Sequence, residues 1–139
     1  MRELHCTLGQ LDDVCKTITD LLPEGGVVIL QGNLAAGKTT LTQAFAKHLG
    51  MDEAVTSPTF SLQQCYGERL FHYDIYNHGL DHFLSLGMLE ELEREGYHLI
   101  EWGDDSLAEL LKTAQIATVI VEISKAGDNN RRTYRIKHA

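Results

Sequence analysis

The sequence predicts an α/β sandwich with a mixed, mostly parallel central sheet. Amphipathic helical segments alternate with short apolar runs rich in β-branched residues, which is typical of strands buried between two helix layers. Two turn-like segments, at 67–68 and 127–130, separate pairs of strand-like segments, so antiparallel hairpins should extend a parallel core. The chain has 139 residues, of which 43% are hydrophobic. That is enough for one core, so we expect a single domain over residues 1–139.

The elements can be predicted in order from their periodicity. Residues 2–7 alternate loosely and suit a short edge strand. Helices are expected over 10–22, 38–49, a segment marked by Phe83, Leu86, Leu89 and Leu92, and 106–112. Strands are expected over 27–30, 61–66, 70–74, 97–101, 118–123 and 133–136.

A glycine-rich loop joins the first buried strand to the second helix. Residues 32–39 match the phosphate-loop pattern G-x-x-x-x-G-K-[ST] in full, and the flanking strand and helix provide the context that this loop requires. Its amides and the helix N-terminus can converge on a polyphosphate. The fold is therefore expected to be a P-loop NTPase-like three-layer sandwich that binds ATP with Mg²⁺. The expected nucleotide-binding residues in this segment are Gly32, Asn33, Leu34, Ala35, Ala36, Gly37, Lys38, Thr39 and Thr40.

Three side chains at the end of this loop have distinct expected roles. The Lys38 ammonium should bridge the β- and γ-phosphates and stabilise the charge that develops during hydrolysis. The Thr39 hydroxyl should coordinate Mg²⁺, and Thr40 should lie near the α-phosphate.

Two acids end predicted strands, and Mg²⁺ prefers carboxylate oxygens. Asp74 ends the strand at 70–74, and Glu101 ends the strand at 97–101. Open α/β sheets bind ligands beyond the carboxyl ends of their strands, so both acids should face the phosphates. One would hold the metal and the other would hold its water or orient the attacking water. Trp102 follows directly and is expected to lie on the nucleotide base or a neighbouring loop, with core packing as the alternative.

Composition restricts the possible partners and the location. The net charge of −8 argues against unaided tight binding of nucleic acid. A basic segment at 125–137, with Lys125, Arg131, Arg132, Arg135 and Lys137, leaves contact with a partner or with tRNA possible. The chain shows no signal-like or membrane-spanning apolar run, and its three cysteines are widely spaced. We therefore expect free thiols and a cytoplasmic location.

Four segments taken together resemble the bacterial TsaE family, the ATPases of tRNA threonylcarbamoyladenosine synthesis. They are the phosphate loop through Thr40, then Ser57-Pro58-Thr59-Phe60, His72-Tyr73-Asp74-Ile75-Tyr76 and Glu101-Trp102. They stand in family order, and the resemblance covers nearly the whole chain. The phosphate loop is shared by many families, whereas the other three segments are much more specific.

The resemblance implies an ATPase that acts on a TsaD–TsaB complex, where ATP turnover resets the modification cycle. Activity should be weak alone and stronger with these partners. Thr39, Asp74 and Glu101 would form the Mg²⁺ environment, with Glu101 also needed for hydrolysis. Thr59, in a switch-like loop at 57–60, would lie close to the γ-phosphate, and Trp102 near the nucleotide. Contact with tRNA would be at most indirect or assisted by the partners.

Four positions depart from the usual family pattern. Asn33 stands where Asp is usual, Ala35 where Gly is usual, Asn77 where Arg is common and Gly103 where Pro is common. None of these changes removes a group that the chemistry needs.

Three other functions remain open on the residues alone. A small P-loop kinase usually carries lid arginines, but between the loop and residue 125 the sequence has only Arg69 and Arg94. A GTPase would need an Asn/Thr-Lys-x-Asp segment, which is absent from the sequence. A docking module that binds nucleotide without significant turnover uses overlapping residues and is not distinguished by them.

Overall fold

The computed structural model describes residues 2–32, 38–50, 63–66, 69–74, 84–85, 87–101, 105–125 and 131–138. The helices are α1 (Leu11–Leu21), α2 (Lys38–His48), α3 (Met88–Glu91) and α4 (Asp105–Thr113), and a 3₁₀ turn, Leu8–Gln10, precedes α1. The strands are β1 (Arg2–Thr7), β2 (Gly25–Gln31), β3 (Gln63–Tyr66), β4 (Leu70–Asp74), β5 (Gly96–Glu101), β6 (Thr118–Lys125) and β7 (Arg131–His138).

Seven strands in the described part of the chain form one sheet in the order β1-β7-β6-β2-β5-β4-β3. The four strands β6, β2, β5 and β4 are mutually parallel. β3 pairs antiparallel with β4, and β7 pairs antiparallel with both β6 and β1. Because β1 is reversed twice relative to β6, five of the seven strands run in one direction. The predicted mixed, mostly parallel sheet is confirmed.

Each face of the sheet has its own apolar core. On one face, Val28 and Leu30 of β2 belong to a cluster with residues of α1 and α2, including Ile18 and Phe45. On the other face, Ile29 of β2 belongs to a second cluster with residues of α4. This alternation along β2 is the two-residue period of a strand buried on both faces. The predicted three-layer arrangement is therefore confirmed.

The predicted helix around residues 83–92 is wrong as a continuous helix. Residues 84–85 are helical, but Gly87 has a φ of 74° and separates them from α3. A left-handed residue ends a right-handed helix because it turns the backbone away from the axis. Of the apolar residues that marked this segment, Leu92 belongs to the second core cluster and Leu89 packs against it, whereas Phe83 and Leu86 lie outside the described residues.

Two glycines bring the amino-terminal ends of neighbouring strands close together. Gly96 begins β5 with a φ of 124°, and a Cβ added there would lie 2.4 Å from the carbonyl oxygen of Arg69. Gly25 begins β2 with a φ of 96°, and its Cβ would lie 2.4 Å from the carbonyl oxygen of Gly96. Only glycine combines such backbone angles with this close approach.

We expect Gly96→Ala to lower the free energy of unfolding by about 3 kcal/mol, because it adds a backbone clash to the cost of an unfavourable φ. Gly87→Ala is the matched control, since its φ is 74° but nothing lies within 4 Å of the added Cβ. The control should lose only about 1 kcal/mol. Urea unfolding of both variants measures the difference, and equal losses would contradict the close approach at Gly96.

Two cysteines of the first core cluster are free thiols. Cys6 and Cys15 are buried and form no disulfide. Burial raises the pKa of Cys15 to about 12, so its thiol stays protonated and behaves as a small apolar side chain. Among the described residues, no helix is long and apolar enough to cross a membrane.

Candidate nucleotide site

The site is centred on the carboxyl end of β2, the strand that leads into the phosphate loop. β2 has a parallel neighbour on each side, β5 and β6. Gly32 follows β2 with a φ of 144°, a conformation that favours glycine. Helix α2 begins at Lys38. The predicted strand and helix thus flank the loop, while residues 33–37 lie outside the described part of the chain.

The two predicted acids end neighbouring parallel strands at the same level. In the sheet register, Leu30 of β2 stands opposite Glu101 of β5, and Glu101 stands opposite Asp74 of β4. The strand that leads into the loop therefore ends beside β5, and β4 is the next strand after β5. The prediction that each acid ends a strand is confirmed, and the register adds that the two strands are neighbours.

Glu101 is held by a residue that the sequence analysis did not assign to the site. Its Oε2 lies 2.6 Å from Nε2 of His72, and the two side chains are only 7% and 11% exposed. A carboxylate oxygen accepts, so Nε2 of His72 carries the donated proton. The available signal was the two-residue spacing of His72 and Asp74, which predicts that both lie on one face of the strand at 70–74.

The His72–Glu101 pair lies on the sheet face that carries α2. His72 stands opposite Leu99 in the register, and Glu101 follows Leu99 by two residues. Leu99 belongs to the core cluster that includes Leu41 of α2. The pair and the helix that follows the phosphate loop therefore share one side of the sheet.

A second histidine supports the same two strands from the opposite face. His98 of β5 is fully buried; its Nδ1 lies 2.8 Å from the hydroxyl oxygen of Tyr73, and its Nε2 lies 2.8 Å from the carbonyl oxygen of Arg94. The carbonyl only accepts, so in the neutral imidazole Nε2 donates to it and Nδ1 accepts from Tyr73. The ring also stacks on Phe71 at 4.7 Å between centroids.

Burial lowers the pKa of His98 below its ordinary value. The bond to the Arg94 carbonyl and the charge of Glu91 act in the opposite direction, and the Arg94 charge lowers the pKa further. Because the unfolded chain then binds more protons than the folded one, stability rises with pH through this range. The stabilisation is complete above about pH 6.5, the ordinary histidine value, and is lost as the pH falls toward the lowered pKa.

We expect the free energy of unfolding to fall as the pH is lowered below about 6.5, with this group contributing at most about 1.4 kcal/mol per pH unit. Urea unfolding of the parent and of His98→Gln across this range measures the contribution. The glutamine amide retains a donor for the Arg94 carbonyl but does not titrate. Identical pH slopes for the two proteins would contradict the assignment.

The donor set suits a hard divalent cation. Glu101 supplies buried carboxylate oxygens. Asp74 is the last residue of β4, and Thr39 is the second residue of α2. Mg²⁺ prefers such oxygen ligands. Among residues whose side chains are described, no group of three or more His, Cys, Asp and Glu could hold a metal ion.

Only some of the predicted site residues lie in the described part of the chain. Lys38, Thr39 and Thr40 form the first turn of α2, and Thr40 is exposed. The remaining predicted nucleotide-binding residues lie outside the described part of the chain: Asn33, Leu34, Ala35, Ala36, Gly37, Thr59 and Trp102. Their roles stay predictions.

The predicted basic segment includes strand β7, which is paired on both sides. Arg135 lies 3.4 Å from a carboxylate oxygen of Glu3, and Lys137 lies 3.2 Å from one of Glu122. These acids partly neutralise the basic segment, which reduces the charge that it offers to a polyanion.

Comparison with known proteins identifies the family. A sequence model described as Threonylcarbamoyl adenosine biosynthesis protein TsaE matches residues 7–133. The chain belongs to the TsaE family. The match includes the phosphate loop and both acids at the strand ends, so the resemblance stated from the sequence is confirmed.

Individual TsaE proteins support the assignment. The tRNA threonylcarbamoyladenosine biosynthesis protein TsaE of Treponema pallidum (strain Nichols) is 41% identical over 114 residues, which are 80% of this chain and 82% of that protein. Its counterpart in Bacillus subtilis (strain 168) is 35% identical over 121 residues, covering 85% and 73%. The crystal structure of Bacillus subtilis YdiB matches with a TM-score of 0.61 and 29% identity, covering 96% of this chain and 84% of that chain.

Proposed function

We propose that this TsaE family member binds ATP with Mg²⁺ at the carboxyl edge of β2, β5 and β4 and hydrolyses it in support of tRNA threonylcarbamoyladenosine modification. One observation carries the proposal. The buried carboxylate of Glu101 stands in register with Leu30, at the end of the strand that leads into the Gly-Lys-Thr loop. This juxtaposition puts an acid beside the only segment of the sequence that has the phosphate-loop pattern.

The loop and α2 would bind the triphosphate. α2 has 11 residues, long enough for its N-terminal amides and partial positive charge to favour an anion. The Lys38 ammonium would neutralise charge on the β- and γ-phosphates, and Thr40 would lie near the α-phosphate. From the residues outside the described part of the chain, Thr59 would approach the γ-phosphate and Trp102 the nucleotide.

Thr39, Asp74 and Glu101 would hold Mg²⁺, which would neutralise charge on the phosphate oxygens. In hydrolysis, the oxygen of a water attacks the γ-phosphorus. The bond between the γ-phosphorus and the β–γ bridging oxygen breaks, which yields ADP and phosphate. Glu101 would orient that water or the water bound to the metal. Its burial excludes competing solvent and strengthens its electrostatic effect.

TsaD and TsaB are the proposed partners, in the cytoplasm, with ATP turnover resetting the modification cycle. The membership in a family of threonylcarbamoyl adenosine biosynthesis proteins supports this part of the proposal. Contact with tRNA would be indirect or partner-assisted, which agrees with a net charge of −8 and with the acid-paired cations of β7.

The test combines a measurement of ATP turnover with pull-down of TsaD and TsaB. Release of labelled phosphate from ATP is measured for the full chain alone and with TsaD and TsaB, and pull-downs with both partners are run with ATP, with ADP and without nucleotide. We expect slow release alone, faster release with partners, and capture that depends on the nucleotide. Absence of ATP uptake in calorimetry with Mg²⁺ would contradict the proposal, and transfer of the label to an acceptor other than water would indicate a kinase.

A further inference from the structure

We propose that His72 is a positioning residue that holds the Glu101 carboxylate in the orientation needed for hydrolysis. This inference rests on the proposed function, and it adds to the site a residue that acts through Glu101. The evidence is the 2.6 Å contact between Nε2 of His72 and Oε2 of Glu101.

Because the pair is buried, this hydrogen bond has a large effect on the stability and orientation of the Glu101 carboxylate. The Glu101 and His72 side chains are 7% and 11% exposed. A buried carboxylate without sufficient donors is costly, and a charge-assisted bond from an imidazole N–H both stabilises it and restricts its rotation. A glutamate side chain has several rotatable bonds, so its carboxylate needs such a restraint to act repeatedly at one position.

The strand arrangement places His72 beside Glu101 but two residues before the end of β4. His72 and Asp74 are two residues apart on β4, and Glu101 stands opposite Asp74 on β5. The imidazole therefore reaches Glu101 from further back along β4, on the amino-terminal side of Asp74. One strand thus contributes both the proposed metal ligand and the residue that orients the acid of its neighbour.

A purely structural role is the competing explanation. The register between β4 and β5 already extends over five residue pairs, from Leu70 and Tyr97 to Asp74 and Glu101. Tyr73 and His98 join the same strands on the opposite face. Loss of the His72 bond should therefore affect the rate of hydrolysis more than the pairing of the strands.

The experiment compares two polar replacements of His72. In His72→Gln the side-chain amide can reach the position of Nε2 and donate to Glu101, whereas in His72→Asn the amide is too short. We expect His72→Asn to lower kcat about 10- to 100-fold, the usual effect of losing a bond that orients a site ligand, with KM for ATP changed by less than about twofold. His72→Gln should recover most of the loss.

Tyr73→Phe is the matched control, because it removes one hydrogen bond from the adjacent residue on the other face of the same strand. It should lower stability in urea without the loss of kcat seen in His72→Asn. Equal kcat values for the parent and His72→Asn would overturn the inference, and so would equal losses of kcat in His72→Asn and His72→Gln. In either case, ATP turnover by the parent protein would leave the proposed function unaffected.

A spectroscopic measurement separates the two proposals further. In ¹⁵N-histidine-labelled protein without nucleotide, Nε2 of His72 should resonate as a protonated nitrogen and should shift in Glu101→Gln. An unprotonated Nε2 would overturn the inference whatever the turnover. A parent that does not hydrolyse ATP, even with TsaD and TsaB, would instead refute the proposed function and with it the role assigned to His72.

Discussion

Glu101→Gln should lower ATP turnover in the presence of TsaD and TsaB by at least about a hundredfold, within the usual effect of a catalytic acid or base. The substitution keeps the shape of the side chain and a carbonyl oxygen that can accept from His72. It removes the negative charge that would hold the metal or orient the attacking water. Because the side chain is only 7% exposed, no group from solvent replaces its charge readily.

The measurement is labelled phosphate release at saturating ATP, together with the affinity for a fluorescent ATP analogue. Affinity should change far less than turnover, because the phosphate loop and Lys38 are intact. Glu109→Gln makes the same chemical change at an exposed position of α4 and should retain parental turnover. Unchanged turnover in Glu101→Gln would remove Glu101 from the mechanism and favour a docking module or a water oriented by the partner.

Lys38→Ala should reduce turnover on the order of a thousandfold, the upper range for losing one preorganised group that stabilises developing charge. It should also weaken ATP binding, because the ammonium would contact the phosphates in the ground state as well. Lys38→Ala and Glu101→Gln are therefore expected to affect different steps. Loss of Lys38 affects binding and turnover, whereas loss of the Glu101 charge affects mainly turnover.

Lys47→Ala is the control for Lys38→Ala. Lys47 is an exposed residue in the last turn of the same helix, so its replacement removes an identical charge from α2 away from the loop. Titration with the fluorescent analogue and phosphate release should separate the two variants. Parental turnover in Lys38→Ala would contradict the proposed mechanism.

Much of the fold was predictable because local patterns and secondary structure agreed. The continuous apolar run at 27–30 predicted a strand buried on both faces, and β2 contributes to both core clusters. Asp74 and Glu101 were recognised as candidate acids because carboxyl ends of parallel strands meet at one edge. Gly87 was missed as a helix break, because apolar spacing around it continues although its φ of 74° does not allow a helix.

Pairings between distant residues were not predictable. His72 and Glu101 are 29 residues apart, and their contact depends on β4 lying next to β5 in one register. A shift of one residue would have moved His72 to the other face. The basic segment at 125–137 was likewise ambiguous, because its charges become partly neutralised only when β7 aligns with Glu3 and Glu122.

The sequence by itself determined the α/β class, the order of most elements, the phosphate loop and the two acids that accompany it, because each depends on residues close together in the chain. Only the tertiary structure decided that β5 lies between β2 and β4, that Glu101 is buried, and that His72 holds it. The physical reason is that strand order and register are settled by the packing of both sheet faces together, and no single segment contains that information.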